Sequence, residues 1–337
     1  MKRLHFPALR WRGNAAIACA AVAVAAAAAM AIGPAASAAA PLTCIAPSKP
    51  GGGNDVVCAL LRNWFAGQSA PRAVHTEFMP GGVGAVAFHL VVTQRPAERD
   101  TLVAFSGGSL LNLAQGKFGG YQIGDVQWVA ALGTDYGMLA VRADSPYHTL
   151  ADWVRAWKRA PAAMTIATSG TAGSQDWIKM AIIARRAGIS TKAIHYVAFE
   201  GGGESFVAMQ AGYVDAVSGD VSEVVPQLQH GAVRVLAVMS PQRLPGLLAQ
   251  VPTAREQGFD LVWPIMRGVY LGPEVPKEDV QRWRRLFDAM LADRRFAELR
   301  QAASLYPLSL TGAPLQDEIH RSVEQFMRQA REFGVSR

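Results

Sequence analysis

Residues 44–58 read CIAPSKPGGGNDVVC, and three consecutive glycines there join an apolar run to an amphipathic one. The run at 42–47 predicts a strand, and residues 54–67 predict a helix that Asn54 or Asp55 can cap. One face of that helix carries Val57, Cys58, Leu61, Trp64 and Phe65. Glycines let a backbone approach a ligand closely, and a helix N-terminus offers unpaired N–H groups to an anion. The stretch therefore predicts a strand–loop–helix unit whose loop can hold an anion.

Two cysteines end this stretch, and the third, Cys19, lies in the N-terminal segment described next. Cys44 on the strand and Cys58 in the first helical turns can lie close enough to bridge in an oxidising compartment. We predict a Cys44–Cys58 disulfide, which in the chain-entropy account adds about 3 kcal/mol to stability. The bond would either fix the shape of the glycine loop or stabilise the fold without reference to a ligand.

The N-terminus has the pattern of a secretory signal. Four basic residues precede the apolar run 15–32, and small residues follow it, with Ala36-Ser37-Ala38 as the best cleavage site. An uncleaved membrane anchor is the alternative, but alanine is only weakly hydrophobic. We predict that residues 1–38 are a cleaved signal and that the protein is exported.

Removal of that segment changes the charge of the chain. The whole sequence has 33 basic and 26 acidic residues, and the four basic residues of the signal leave with it. The remainder is mildly basic and has no Lys/Arg block, which argues against a nucleic-acid partner but permits a small anion.

Apolar runs alternate with helical patterns along the rest of the chain. Runs that predict strands occupy 42–47, 73–79, 100–106, 126–133, 137–143, 164–169, 194–200, 214–219 and 233–239. Patterns that predict helices occupy 54–67, 84–94, 149–159, 174–188, 204–212, 222–231, 278–301 and 314–334. This alternation predicts an α/β protein with mainly parallel sheets flanked by helices.

Glycine-rich turns follow strand after strand. They lie at 49–55, 79–85, 105–110, 167–175 and 199–205. The carboxyl ends of strands are where open α/β sheets bind ligands. Each turn alone could be an ordinary tight turn, but together they favour a ligand cleft.

Sequence motifs of catalysis and metal binding are weak or missing. Ser106, Ser109 and Ser174 could each be a nucleophile, but the sequence places no histidine to serve them. Glu200 and Glu204 could form an acid/base pair, although capping and solvated carboxylates are commoner. We expect no enzyme, no metal site and no cofactor.

Several stretches together resemble the periplasmic solute-binding component of tripartite tricarboxylate transporters, a Bug-like receptor family. They include CIAPSKPGGGNDVVC, MPGGVGAVAFHLVVTQRPA, VAFSGGSLLNLAQGKFG, YVAFEGGGES and VPTAREQGFDLVWPIMRG. The resemblance covers nearly all of the chain after the signal. Lys49, the stretch 105–119 and GDVSE at 219–223 make it most similar to the tricarboxylate-binding branch.

The resemblance implies a two-domain periplasmic-binding-protein fold, type II-like, that closes on a ligand in a cleft between its domains. Residues 39–140 and 241–337 are then domain 1, and residues 141–240 are domain 2. It also implies a membrane permease with a large and a small integral subunit.

Site residues come from matching loops. By resemblance, the two first-domain loops hold a carboxylate through backbone N–H groups and ordered water, and a second-domain turn holds another. The matched positions are Ser48, Lys49, Gly51, Gly52, Gly53, Asn54, Asp55, Pro80, Gly81, Gly82, Ser169, Gly170, Thr171, Gly173, Ser174 and Gln175. Additional candidates are Ser106, Gly107, Ser109, Tyr136, Gly202, Glu204, Asp220 and Arg267. Lys49, beside three glycines, favours a ligand with several carboxylates.

Three functions remain open at this point. The leading one is binding of citrate or a related tricarboxylate for delivery to the permease. The same closing cleft would suit a sensor protein that presents its ligand to a membrane kinase. The third is an α/β enzyme that acts on a small carboxylate.

Overall fold

A computed structural model describes residues 41–335 of the protein. The predicted signal, residues 1–38, lies outside the described residues. None of the helices within 41–335 combines the length and the apolar character needed to cross a bilayer.

Ten strands and ten α-helices make up the described chain. The strands are β1 (Leu42–Ala46), β2 (Val74–Phe78), β3 (Thr101–Ser106), β4 (Gln127–Arg142), β5 (Thr165–Ser169), β6 (His195–Phe199), β7 (Ala216–Asp220), β8 (Val233–Val238), β9 (Pro264–Leu271) and β10 (Leu310–Thr311). The helices are α1 (Gly53–Ala66), α2 (Ala85–Thr93), α3 (Gly107–Ala114), α4 (Leu150–Arg159), α5 (Gln175–Arg186), α6 (Gly202–Gln210), α7 (Val221–Gln229), α8 (Lys277–Ala292), α9 (Arg294–Ala302) and α10 (Gly312–Glu332).

The sheet runs in the order β2-β1-β3-β9-β4-β7-β5-β6, and β8 and β10 also pair with β4. Its outer pairs, β1 with β2 and β3 and β5 with β6 and β7, are parallel, as the alternation of strands and helices predicted. The pairs that β4 and β9 make are antiparallel.

Strand β4 differs from its prediction. Runs 126–133 and 137–143 were expected to be two strands, but they form one strand of 16 residues. Its first part, to Tyr136, pairs with β9 and β10, and its second part, from Gly137, pairs with β7 and β8. We call β1, β2, β3, β9, β10 and the first part of β4 the first sheet half, and the remaining strands the second sheet half.

The two halves meet again after β8. Met239 donates its backbone N–H to Gly137 O (2.7 Å), and Trp263 donates to Met239 O (2.7 Å). Gly137 in turn donates to Trp263 O at 3.1 Å. Two chain crossings therefore lie side by side at Gly137, which is where a hinge between two domains would lie. The predicted domain limits at residues 140 and 240 stay a prediction.

Side-chain caps mark about half of the helix starts. Thr149 caps α4 in a capping box with Asp152, and the α4 tryptophans Trp153 and Trp157 are fully buried. Helix α1 is different, because Gly52 is its N-cap and supplies no side-chain bond. Its first N–H groups are left open for other partners.

The predicted disulfide is present. Cys44 in β1 and Cys58 in α1 are joined with their Cα atoms 5.6 Å apart. Both cysteines are fully buried, so the bond ties the first strand to the first helix beneath the glycine loop.

Candidate functional site

The glycine turns of both sheet halves face one cleft. The loops after β1, β2, β5 and β6 each lead from the carboxyl end of a strand toward a helix, as do the ends of β3 and β7. Two adjoining cavities lie in this cleft, which we call the inner and the outer cavity. The inner cavity, of about 40 Å³, is lined by Pro47, Ser48, Gly53, Asn54, Val83, Ser106, Ser169, Gln175, Phe199, Glu200, Gly201, Asp220, Glu223 and Arg267. The outer cavity, of about 390 Å³, is lined by Gly82, Val83, Asn112, Gln115, Lys117, Gly170, Thr171, Ala198, Phe199, Glu200 and Val335.

Many predicted residues meet at these cavities. Those that line the inner cavity are Ser48, Gly53, Asn54, Ser106, Ser169, Gln175, Asp220 and Arg267. Those that line the outer cavity are Gly82, Gly170 and Thr171. The inner cavity is too small for a di- or tricarboxylate, so a ligand would need the outer space or a wider cleft.

Other predicted residues stand around the cleft in supporting positions. Lys49 is exposed at the rim, where its Nζ lies 2.5 Å from Glu204 Oε1. Asp55 accepts the Gly51 N–H at 2.9 Å and so holds the first loop. Ser174 caps α5, and Gly173 O accepts a bond from Gln115 Nε2. Four further predicted residues line neither cavity: Gly52, Pro80, Gly81 and Gly202.

Three candidates lie elsewhere. Gly107 and Tyr136 line a separate cavity with Trp263 and Phe326. Ser109 is buried, and it shares a capping box with Ser106 at the start of α3. Ser109 therefore stabilises the helix N-terminus that follows β3, and it lines neither the inner nor the outer cavity.

A buried ionic cluster forms the floor of the inner cavity. Arg267 of β9, only 2% exposed, places Nη2 at 2.9 Å from Asp135 Oδ2 and 2.6 Å from Asp220 Oδ2. Lys179 of α5 is fully buried, with Nζ at 2.7 Å from Asp176 Oδ1 and 3.2 Å from Asp220 Oδ1. Asp220 therefore accepts from both cations, and the cluster links both sheet halves.

The protonation of this cluster follows from burial and pairing. Burial alone would lower the pKa of Arg267 and of Lys179, but their carboxylate partners outweigh it and raise both pKa values. Burial raises the pKa of Asp135 and of Asp176, and the two cations offset part of that effect. Both cations therefore remain charged at neutral pH.

Sequence reasoning missed Glu223, Asp135, Asp176 and Lys179. Glu223 Oε1 accepts the N–H of Gly53 at 2.8 Å and of Gly202 at 3.3 Å, which are the first residues of α1 and α6. Apart from its place in the stretch GDVSE, the sequence signal for Glu223 is its position three residues after Asp220, where it completes a capping box. Asp176 and Lys179 share the same three-residue spacing, which is equally common on exposed helices.

Several buried polar atoms of cavity residues have no hydrogen-bond partner within residues 41–335. They are Ser48 Oγ, Asn54 Oδ1, Gln175 Oε1 and Arg267 Nε. Buried polar groups are nearly always bonded in folded proteins. Their concentration around one cavity therefore indicates a polar ligand. Among the described residues, no group of three or more His, Cys, Asp or Glu side chains is arranged to hold a metal ion.

Solved structures with the same fold are periplasmic binding proteins. The periplasmic binding protein BugD superposes with a TM-score of 0.79 at 19% identity, covering 88% of this chain and 99% of that chain. An R. palustris protein with adipate gives 0.77 at 19% identity, covering 88% and 98%. MatC from Rhodopseudomonas palustris with bound malate gives 0.72 at 20% identity, covering 86% and 99%. The predicted α/β periplasmic-binding-protein fold is confirmed.

The family follows from the sequence itself. Residues 80–310 match the model of the tripartite tricarboxylate transporter family receptor, TctC. Among curated proteins, no sequence relative matches. The chain belongs to the tripartite tricarboxylate transporter receptor family, whose members are periplasmic solute-binding receptors rather than enzymes, and the predicted resemblance is confirmed.

Proposed function

We propose that this receptor binds a small di- or tricarboxylate, citrate first among them, in the cleft between the two sheet halves. The observation that carries the proposal is the position of the Glu223 carboxyl, which already bonds the Gly53 and Gly202 N–H groups from opposite sides of the cleft. A site that holds one carboxyl between two helix N-termini is suited to the carboxylate of a ligand.

A second positive region supports a ligand with more than one carboxylate. Lys117 lines the outer cavity and donates from Nζ to Ala172 O at 2.8 Å. Burial lowers the pKa of this ammonium, and no carboxylate pairs with it among the described residues. One ligand carboxylate would lie near Arg267 and the helix N-termini, and a second would lie near Lys117 across the outer cavity.

Structural relatives support the ligand class. One carries adipate and one carries bound malate, which are both dicarboxylates. The family name refers to tricarboxylates, and Lys49 at the rim adds a third cation to the cleft entrance. Citrate, malate and adipate are therefore the ligands to test first.

We further propose the setting in which the receptor works. Residues 1–38 direct export and are removed, and the periplasmic receptor delivers its ligand to a permease with a large and a small membrane subunit. Residues 39–140 with 241–337 and residues 141–240 act as two domains that close about the crossings at Gly137. Presentation of the ligand to a membrane sensor kinase would use the same closed form.

Titration calorimetry of the exported protein tests the ligand class. The panel is citrate, isocitrate, cis-aconitate, malate, adipate, tartrate, glutamate and phosphate. At least one di- or tricarboxylate should bind with one site per chain, while phosphate should not. Absence of binding by every carboxylate at millimolar concentration would overturn the proposal, and chemical conversion of a bound ligand would favour the enzyme instead.

A further inference from the structure

Glu223 connects three helix N-termini across the cleft. Besides the Gly53 and Gly202 N–H groups, its carboxyl accepts the Asp220 N–H at 3.3 Å, at the start of its own helix α7. The side chain is only 7% exposed. A Cβ on Gly202 would lie 2.3 Å from Glu223 Oε2, so the carboxyl packs directly on the α6 backbone. Only a closed cleft can assemble these contacts, because Gly53 and Glu223 belong to opposite sheet halves.

The charges that face Glu223 are mainly negative. Asp220 precedes the same helix, Asp135 comes from β4, and Asp176 comes from α5. The field of Arg267 in β9 lowers the Glu223 pKa, but its guanidinium binds Asp135 and Asp220. Among residues 41–335, no Lys, Arg or His forms an ion pair with Glu223, and Lys179 is committed to Asp176 and Asp220.

The remaining charged residues at this end of the cleft do not neutralise a negative charge on Glu223. On α6, Glu204 pairs with Lys49 of the first loop, and Glu200 precedes them as another acid. Helix α1 contributes the Gly53 N–H, and its Asp55 is turned to the Gly51 N–H. The buried cluster already has one more acid than base, since its two cations, Arg267 and Lys179, face three aspartates. Those aspartates are Asp135, Asp176 and Asp220. Three backbone N–H groups bond the Glu223 carboxyl, but no cation pairs with it among residues 41–335. A charged Glu223 would be a fourth buried acid beside two cations, which is unfavourable.

We propose that Glu223 takes up one proton from solvent when the cleft closes, so that the receptor binds its anionic ligand together with a proton. This inference rests on the proposed carboxylate-binding function. The new O–H forms on the carboxyl while the Gly53 and Gly202 N–H groups still bond its other oxygen. A protonated Glu223 can donate that O–H to a ligand carboxylate, whereas a charged one would repel it. The proton returns to solvent when the cleft opens.

The direction of the pH dependence follows from the two states. In the closed cleft, burial raises the pKa of Glu223 to about 8, and Asp220 adds to the effect. In an open cleft, water returns the pKa toward its ordinary value near 4.5. The closed form binds more protons between these values, so affinity should fall as pH rises through this window, by up to about tenfold per pH unit. The negative charge of a ligand carboxylate near Glu223 would raise its pKa further and so strengthen the dependence of affinity on pH.

Calorimetry in buffers with different ionisation enthalpies measures the proton directly. At pH 7, with citrate or malate as the probe, the wild type should take up about one proton more than Glu223→Gln. Subtraction of the two proteins removes the titration of the ligand itself. Glu298→Gln, on the exposed face of α9, is the matched control and should behave as wild type. Equal proton uptake by wild type and Glu223→Gln would overturn the inference.

A second measurement does not depend on the variant. Carbon NMR of wild-type protein labelled at its glutamate carboxyls should show one carboxyl that titrates near pH 8 in the complex. If every glutamate in the complex titrates below about pH 6, the inference is wrong even though the ligand binds. If no carboxylate binds the wild type, the proposed function fails first, and the two failures are therefore distinguishable.

Discussion

Arg267 is the residue on which the inner cavity depends most. Its guanidinium lies beneath the start of α1, where a Cβ on Gly53 would come within 2.2 Å of it. It crosses from the first sheet half to Asp220 of the second. Arg267 therefore supports the floor of the site, the α1 N-terminus and the closed cleft at once.

Arg267→Gln should abolish carboxylate binding and lower the free energy of unfolding by about 3–5 kcal/mol. The reason is that Asp135 stays buried after it loses Arg267, the one cation that pairs with it within residues 41–335. Calorimetry and denaturant unfolding measure the two effects. Arg62→Gln, which removes an exposed arginine bonded to Thr76, is the control and should change stability by less than about 0.5 kcal/mol. Unaltered affinity in Arg267→Gln would remove this residue from the site.

Val83 has an unusual backbone. Its φ of 57° and ψ of 38° are left-handed, a conformation that a β-branched residue rarely adopts. The side chain lines both cavities, and its Cγ2 lies 2.8 Å from where a Cβ of Gly170 would be. Val83 thus stands between the inner and the outer cavity and packs on the opposite half. Backbone strain of this kind is often found at binding sites.

Val83→Gly should widen the passage between the cavities. Relief of left-handed strain and the added freedom of the unfolded chain oppose each other, so stability should change by less than about 1 kcal/mol. Affinity for adipate relative to malate should rise about fivefold, a change of about 1 kcal/mol. Val207→Ala, at an exposed position of α6, should leave the ratio unchanged. A constant ratio in Val83→Gly would show that Val83 does not limit ligand length.

Residue types explain which site residues the sequence reveals. The glycine loops carry their own signal, and Ser48, Asn54 and Gln175 lie in or next to them. Glu223 and Lys179 carry only a weak signal, because an i,i+3 pair on a helix is the same pattern whether the helix face is exposed or buried. Only the tertiary contact with Gly53 shows that Glu223 faces the opposite half.

The strands, like the site residues, divide into those that the sequence predicts and those that it does not. Strands β1, β2, β3, β5, β6, β7 and β8 match the predicted runs to within two residues at each end, because each is a short apolar segment bounded by turns. Strand β9 was missed, since PIMRGVYL begins with proline and carries Arg267 and Gly268 in its middle. The polar Asp135 separated the two runs of β4, whereas the fold buries it beside Arg267. A polar residue in a strand thus marked the site rather than a turn.

The disulfide should stabilise the first strand–loop–helix unit. Replacement of both Cys44 and Cys58 by alanine should lower the free energy of unfolding by about 3 kcal/mol, because the unfolded chain loses its cross-link. Denaturant titration with and without reductant measures this, and the reduced wild type should behave like the double variant. If the unfolding midpoints of oxidised wild type and the double variant coincide, the bond contributes nothing to stability.

At the scale of the whole molecule, groups of the protein itself hold the cleft closed. Direct contacts cross it from Lys49 to Glu204, from Gly53 to Glu223, from Gln115 to Gly173, from Lys117 to Ala172 and from Arg267 to Asp220. A ligand would have to replace or join some of these contacts. The glycine turns alone predicted that a cleft exists, but which pairs cross it depends on the relative position of the two halves.

The central claim is that one carboxylate ligand contacts both sheet halves at the inner cavity. A crystal structure of the wild-type protein with the tightest-binding carboxylate of the panel tests it most directly. We predict a ligand carboxylate within about 3.2 Å of Arg267 on one side and of Glu223 or Gln175 on the other. A ligand that contacts only one half, or that lies in a different cavity, which is lined by Arg300 and Tyr306, would contradict the account.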